Sequence, residues 1–365
     1  MRSISFIVDL CSGGRSAAAR RLRALADARG LFHLHLMLWP FDGASGGRRP
    51  QVSRRPATRR ERTVKRTALF AIAAAVLVGT SVHSAAAEPD GDDLVFQSFS
   101  FATGNLDIYT VNPDGSGLTN VTNDPASDLQ PAWSPTKDRI AFSSLRLGNR
   151  DIYVINADGS GLLRLTTSPA TDTSPSWAPD GEHVLFRSRR GGAFDLYTVA
   201  ADGSGVETQL TNDAGFDGDA SYSPDGEKIV FVHSDGLFQG ELSQAIFVMH
   251  ADGTHAKQLT PYEVEAATPD WSPDGSRIAF VNNFCGTCGN SDLFVINPGG
   301  NRIEQLTHDV GNVFSPAWSP DGTRIAFTLD VAPGEPEDIA TVNAAGGDLV
   351  NVTHSPAINE SDPDW

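Results

Sequence analysis

From residue 88 onward the chain is built from near-copies of one unit, and a repeat of this length leaves few folds open to it. The string Trp-Ser-Pro, usually continued by Asp-Gly, occurs at Trp133, Trp271 and Trp318, with variants at Trp177 and Tyr222. Trp365 is the sixth aromatic of the series, and successive members lie 44 to 49 residues apart. Downstream of each comes an alternating apolar run of the Ile140-Ala141-Phe142 kind, then Asp151-Ile152-Tyr153 or a relative, then an Asp-Gly-Ser-Gly turn and a Leu-Thr or Val-Thr pair. Period-two alternation of β-branched and aromatic residues marks strands, and the Asp-Gly turns mark hairpins between them. Four short strands every 46 or so residues is the signature of a propeller blade.

The ends of the repeat set the size of the ring. The series opens at Glu88–Phe96 on the second half of the motif and stops at Ser361–Trp365 on the first half. Joined, the two halves make one further copy. The expectation is an all-β, six-bladed β-propeller with four-stranded blades over residues 88–365, closed by the C-terminal strand pairing into the N-terminal blade.

Residues before 88 read differently. They are basic, whereas residues 88–365 hold 41 Asp/Glu against 13 Lys/Arg. Lys65-Arg66 precede an uncharged apolar stretch, Ala68 to Val82, which is too short for a stable bilayer span and is followed by Ser84-Ala85-Ala86-Ala87. That order predicts a signal peptide over 64–87, cut after Ala87, and a periplasmic or extracellular product without stable membrane insertion. Residues 1–63, Arg-rich and without a sustained apolar period, are expected to be a non-native or extended leader, disordered and outside the fold. An acidic main body repels phosphate backbones, which argues against nucleic-acid binding.

The Trp-Ser-Pro-Asp-Gly, Ile-Ala-Phe and Asp-Ile-Tyr run resembles the WD-type repeats of the TolB-like six-bladed β-propeller family, over essentially all of residues 88–365. The resemblance implies a basic or extended peptide partner. It does not imply one chemistry, because such propellers occur in scaffolds, peptidase accessory domains and lyases.

Most motif residues read as structural. The aromatic packs between blades, Pro-Asp-Gly suits a tight turn, and Asp107, Asp151, Asp195, Asp292 and Asp338 are expected to accept backbone N–H bonds where the third strand begins. With strands lettered A to D from the channel outward, the A–B and C–D turns share one face and are nearly uniform. The B–C loops and D–A connections share the other face and vary, which is where binding usually resides. Three residues before each inner-strand Pro, or its equivalent, stand Asp128, Asp172, Asp217, Ala266, Val313 and Glu360, with Asp219 and Asp362 one residue before it. The expected arrangement is an acidic channel mouth of Asp128, Asp172, Asp217, Asp219, Glu360 and Asp362 with no Lys or Arg among them. Such a mouth attracts a basic peptide; the same residues are also natural Asx-turn formers. No cofactor is required, although a calcium ion suits oxygen ligands at this density.

Phe99, Phe101, Phe194, Phe216, Phe238, Tyr262, Phe284 and Phe314 fall in loops of the same face; some are expected to tuck under the loops and several exposed ones to form an interaction patch. Cys285 and Cys288 lie in one short loop, where a disulfide is expected outside the cytosol. No Ser/His/Asp set stands out, so the first reading is a non-catalytic propeller, monomeric, that binds a protein or peptide at its B–C/D–A face. The alternatives are a polysaccharide lyase or hydrolase, or the accessory propeller of a peptidase.

Overall fold

The computed structural model describes residues 93–365, apart from 101–103, 239–240, 283–290, 309, 333–334 and 355–357. The expected leader and signal peptide, the Cys285/Cys288 pairing, and Phe101 and Phe284 all lie outside the described residues.

Six four-stranded antiparallel sheets form the fold. The second blade runs Asp128–Trp133, Arg139–Ser144, Asp151–Asn156 and Leu163–Arg164, and the third runs Asp172–Trp177, His183–Ser188, Asp195–Ala200 and Glu207–Gln209. The fourth, fifth and sixth begin with Phe216–Tyr222, Ala266–Trp271 and Asn312–Trp318. In the first blade the innermost strand is Glu360–Asp364, paired antiparallel with Leu94–Ser100, so the ring closes as the repeat phase requires. Across this seam Gln97 Nε2 donates to Ser361 Oγ at 2.9 Å.

The recurring residues now have specific work. The Phe of each Ile-Ala-Phe run is fully buried at Phe96, Phe142, Phe186, Phe280 and Phe327, each contributing roughly 1.5–3 kcal/mol of burial. It faces the ring of the Asp-Ile-Tyr motif across the strand pair, as in Phe142–Tyr153 at 5.9 Å and Phe186–Tyr197 at 5.8 Å. The inner-strand Trp residues lie between blades: Trp177 packs into the cluster of Ile152 and Val154, and its indole N–H donates to the Ala132 carbonyl at 3.1 Å. The closing Thr answers a local accounting problem. Its hydroxyl accepts the N–H of the residue that follows the motif Asp, or its equivalent, in the third strand of every blade, from Ile108/Thr122 at 3.0 Å to Ile339/Thr353 at 3.0 Å. The C–D turns need glycine for two reasons at once. Gly159 has φ +81, and a Cβ there would lie 2.8 Å from the Val121 carbonyl of the preceding blade.

One backbone feature has no overt letter in the sequence. Each inner strand carries a bulge halfway along, as in the register jump between Leu129 and Ala132. At each bulge one non-glycine residue has left-handed φ: Gln130, Ser174, Asp219, Thr268, Ser315 and Asp362, between 46° and 55°. Five of the six precede proline, a position that disfavours helical backbone values, so the ring is locally strained. Proline tolerates the spot because a bulge releases it from donating to the ladder.

Candidate functional site

The six bulge residues all line the central channel. They stand at the floor of a cavity of about 1610 Å³ whose walls carry the inner-strand Trp residues and the Ser-Pro turns. The cavity opens on the face of the A–B and C–D turns, opposite the loop face favoured by sequence variability.

At the floor, Gln130 Nε2 donates to Ser174 Oγ at 3.0 Å, and Ser315 Oγ donates to Asp362 Oδ1 at 2.6 Å. Burial pushes the Asp362 carboxyl upward, with the nearby Asp219 charge adding to it. Asp219 Oδ1 accepts from Arg187 Nη1 at 2.9 Å. Two more carboxylates stand two residues further along their strands. Asp270 Oδ2 accepts the Trp318 N–H at 2.9 Å and Asp364 Oδ2 the Trp133 N–H at 2.7 Å, so each ties its blade to the next. Burial raises Asp270 to about 7 and Asp364 to about 6. Sequence reasoning passed over both, although Ala and Ser hold that place in the other four blades.

The turns of this face carry further carboxylates, of which Asp158 lines the cavity itself. Asp114, Asp158, Asp202 and Asp252 of the C–D turns lie below their usual carboxylate range, held first by Ser or Thr hydroxyls. Asp180, Asp225, Asp274 and Asp321 of the A–B turns are lowered as well, Asp274 to about 2 by Ser272 and Ser276. These residues cap turns, yet they remain exposed negative charges, and reading them as turn formers alone hid the acidity of this face.

The residues expected at the acidic mouth divide into two levels. Asp219 and Asp362 reach the channel. Asp128, Asp172 and Asp217 are 0 % exposed and Glu360 is 3 % exposed, all at the opposite end of the inner strands. Basic side chains from the B–C loops reach two of these acids. Arg146 Nη2 donates to both oxygens of Asp128 at 2.8 and 2.9 Å, and Arg190 Nη2 to both oxygens of Asp172 at 3.2 and 3.1 Å while also engaging Glu207. Each arginine stands 18 residues after its partner, two beyond the end of the second strand, and the B–C loop folds it back over the blade. Asp217 takes a different partner, His233 Nδ1 at 2.6 Å, whose Nε2 meets Asp235 at 2.9 Å. Those contacts, Asp217 foremost, raise His233 to about 9.

The third-strand aspartates also differ from expectation. With Thr hydroxyls taking the N–H groups, these carboxylates accept from side chains of the outermost strand: Asn120 to Asp107 at 2.8 Å, Gln305 to Asp292 at 3.0 Å and Asn351 to Asp338 at 2.6 Å, with Arg164 ion-paired to Asp151 at 2.7 Å. Of the aromatic patch, Phe99 is 38 % exposed, while Phe194 and Phe216 meet edge to face at 5.7 Å beneath Arg187. Among the described residues no helix is long and apolar enough to cross a membrane.

Comparison with known proteins gives a consistent answer on the fold. A family model described as the TolB beta propeller domain matches residues 84–261 and 238–365. Among solved structures the chain is similar to TolB from Acinetobacter baumannii, with 22 % identity and a TM-score of 0.65 over 75 % of this chain and 66 % of that one. A putative TolB from Agrobacterium tumefaciens gives 19 % identity and 0.57 over 72 % and 88 %, and an oligogalacturonate lyase in complex with manganese gives 16 % and 0.51 over 72 % and 74 %. No curated protein matches.

Proposed function

We propose that this chain, which belongs to the TolB β-propeller domain family, is a non-catalytic binding module of the periplasm or extracellular space that captures a basic segment of a protein or peptide partner. The observation that carries the reading is an open cavity of about 1610 Å³ lined by the Asp158, Asp219 and Asp362 carboxylates, with further turn aspartates on the face where it opens. Charges around a concave opening concentrate a counter-charged ligand and speed its capture. The Trp walls supply apolar area for the stem of a Lys or Arg side chain, so the segment enters from the turn face rather than the loop face expected from sequence variation.

A binding role fits the chemistry of the groups better than proton transfer does. His233 has both ring nitrogens engaged by carboxylates, and Asp219 is tied to Arg187. A lyase acting on anionic sugar needs free basic groups along the channel, whereas here Arg187 is tied to Asp219 and the lining Lys137 donates to the Asp93 carbonyl.

The test is titration with a Lys/Arg-rich peptide and with its Glu-substituted counterpart, followed by fluorescence anisotropy. The basic peptide should bind, with affinity falling as salt is added, and the acidic one should not. Asp219→Asn combined with Asp362→Asn should weaken binding about tenfold, the scale of one charge-assisted hydrogen bond. Equal affinity for both peptides would refute the reading.

A further inference from the structure

Three successive blade junctions on the loop face share one layout, and one of them reverses a charge. Between the first and second blades stand Asp107, Asp124 and Asp128, with Arg146 clamping Asp128 and lying 3.9 Å from Asp124. Between the third and fourth blades the same places are held by Asp195, Asp213 and Asp217. Asp124 and Asp213 each cap a turn two residues on, at 2.8 and 2.7 Å, and each stands four residues before the inner-strand aspartate. The registers Asp128↔Ser144, Asp172↔Ser188 and Asp217↔His233 align the second strands without ambiguity. Two residues beyond come Arg146, Arg190 and, in the fourth blade, Asp235. The guanidinium slot of the two earlier junctions is therefore an aspartate in the third.

The missing guanidinium leaves a trace in the hydrogen bonding. Both oxygens of Asp128 and both of Asp172 accept from an arginine. Asp217, with its side chain 1 % exposed, accepts only at Oδ1, from His233, and its buried Oδ2 has no hydrogen-bond partner. His233 reaches only one of the two oxygens, and a buried carboxylate oxygen left without a partner beside further carboxylates is costly. Asp213, Asp217 and His233 each offer one donor atom, and these lie within 4.8 Å of one another.

We propose that Asp213, Asp217 and His233 form a divalent-cation site at the junction of the third and fourth blades, with the ion standing where arginine stands at the sister junctions. Two carboxylates and an imidazole suit ions that accept mixed oxygen and nitrogen donors, such as manganese or zinc. A calcium ion would use the carboxylates and leave His233 holding Asp217 by its other oxygen. The site is separate from the channel floor, and its function is to lock the Asp217 end of the fourth blade against the third.

The experiment strips the full chain with EDTA and titrates in MnCl2, ZnCl2 or CaCl2, reading heat by calorimetry and the melting temperature in parallel. At a hundredfold excess over its dissociation constant a bound ion shifts the folding equilibrium about a hundredfold, which raises the melting temperature. Asp213 is exposed, so Asp213→Asn should fold normally and bind at least about tenfold more weakly, the usual loss for one ligand or its support. Asp235→Arg restores the sister guanidinium; it should abolish binding while the metal-free protein melts no lower than the parent. Binding of any one of the three ions with those two losses supports the site. Absence of heat and of a melting shift with all three ions would overturn it, as would variants that bind as tightly as the parent.

Discussion

The junction between the second and third blades and the junction between the third and fourth begin from the same backbone and reach electrostatic balance by different routes. At the former, Asp151 and Asp172 are buried against Arg164 and Arg190, fixed charges that do not titrate near neutrality. At the latter, Asp195 and Asp217 meet Gln209 and His233. The difference teaches that a repeat fold conserves the place where compensation is needed while leaving open what supplies it. Guanidinium makes a junction indifferent to its surroundings. Imidazole beside a spare carboxylate oxygen makes it responsive to them.

Breaking the stronger junction should produce the largest effect. Arg190→Met would leave Asp172 buried without a cation and release Glu207, and the expected loss is about 3–5 kcal/mol in a urea denaturation series. A loss under about 1 kcal/mol would show that water or a rearranged Arg189 replaces the clamp, and the comparison would lose its basis.

Next in size is the pH response of the histidine junction, measured in chelating buffer. His233 is raised from 6.5 in the unfolded chain to about 9 in the fold, chiefly by Asp217. A raised value means the protonated form is favoured by folding. Its contribution is therefore complete below about pH 6.5 and is lost as pH climbs through about 9. The fall over that window should be at most about 3.5 kcal/mol, since each tenfold gain in proton affinity on folding is worth about 1.4 kcal/mol. His233→Gln should flatten it while the Arg190 junction contributes no slope there.

The smallest effect sharpens the comparison rather than breaking it. Arg164→Gln places at the second-to-third junction the residue type that Gln209 supplies at the next, and should cost about 1 kcal/mol, because an amide still donates to Asp151. Thermal melts of this variant beside the parent would resolve the few degrees expected.

The architecture was readable because it is written six times. Trp, Pro-Asp-Gly, the buried Phe and the Thr hydroxyl recur in register, and repetition averages away local ambiguity. What stayed hidden was written once, or across distances a linear pattern does not encode. Arg146 and Arg190 lie on variable loops, 18 residues from the aspartates they clamp, so their pairing waits on how each loop folds back. The left-handed bulge residues share a conformation but no chemistry: Gln, Ser, Asp, Thr, Ser and Asp meet the same geometry with different side chains. Reading Asp114 or Asp274 as turn formers was correct for the backbone and incomplete for the field, since a carboxylate that caps a turn keeps its charge. The acids at Asp128, Asp172 and Asp217 were identified by position, but their burial depends on packing between neighbouring blades.

The seam between Leu94–Ser100 and Glu360–Asp364 bears on how the molecule is made. While the chain emerges, the first blade has only three of its strands, and Leu94–Ser100 presents an unmatched hydrogen-bonding edge for the whole interval in which the other five blades are synthesised. Such an edge invites pairing with another nascent copy, and bringing together segments some 264 residues apart is slow. Maturation of this protein therefore places its greatest demand for chaperoning on the period before the last strand arrives, and on a stretch of sequence that the finished ring conceals.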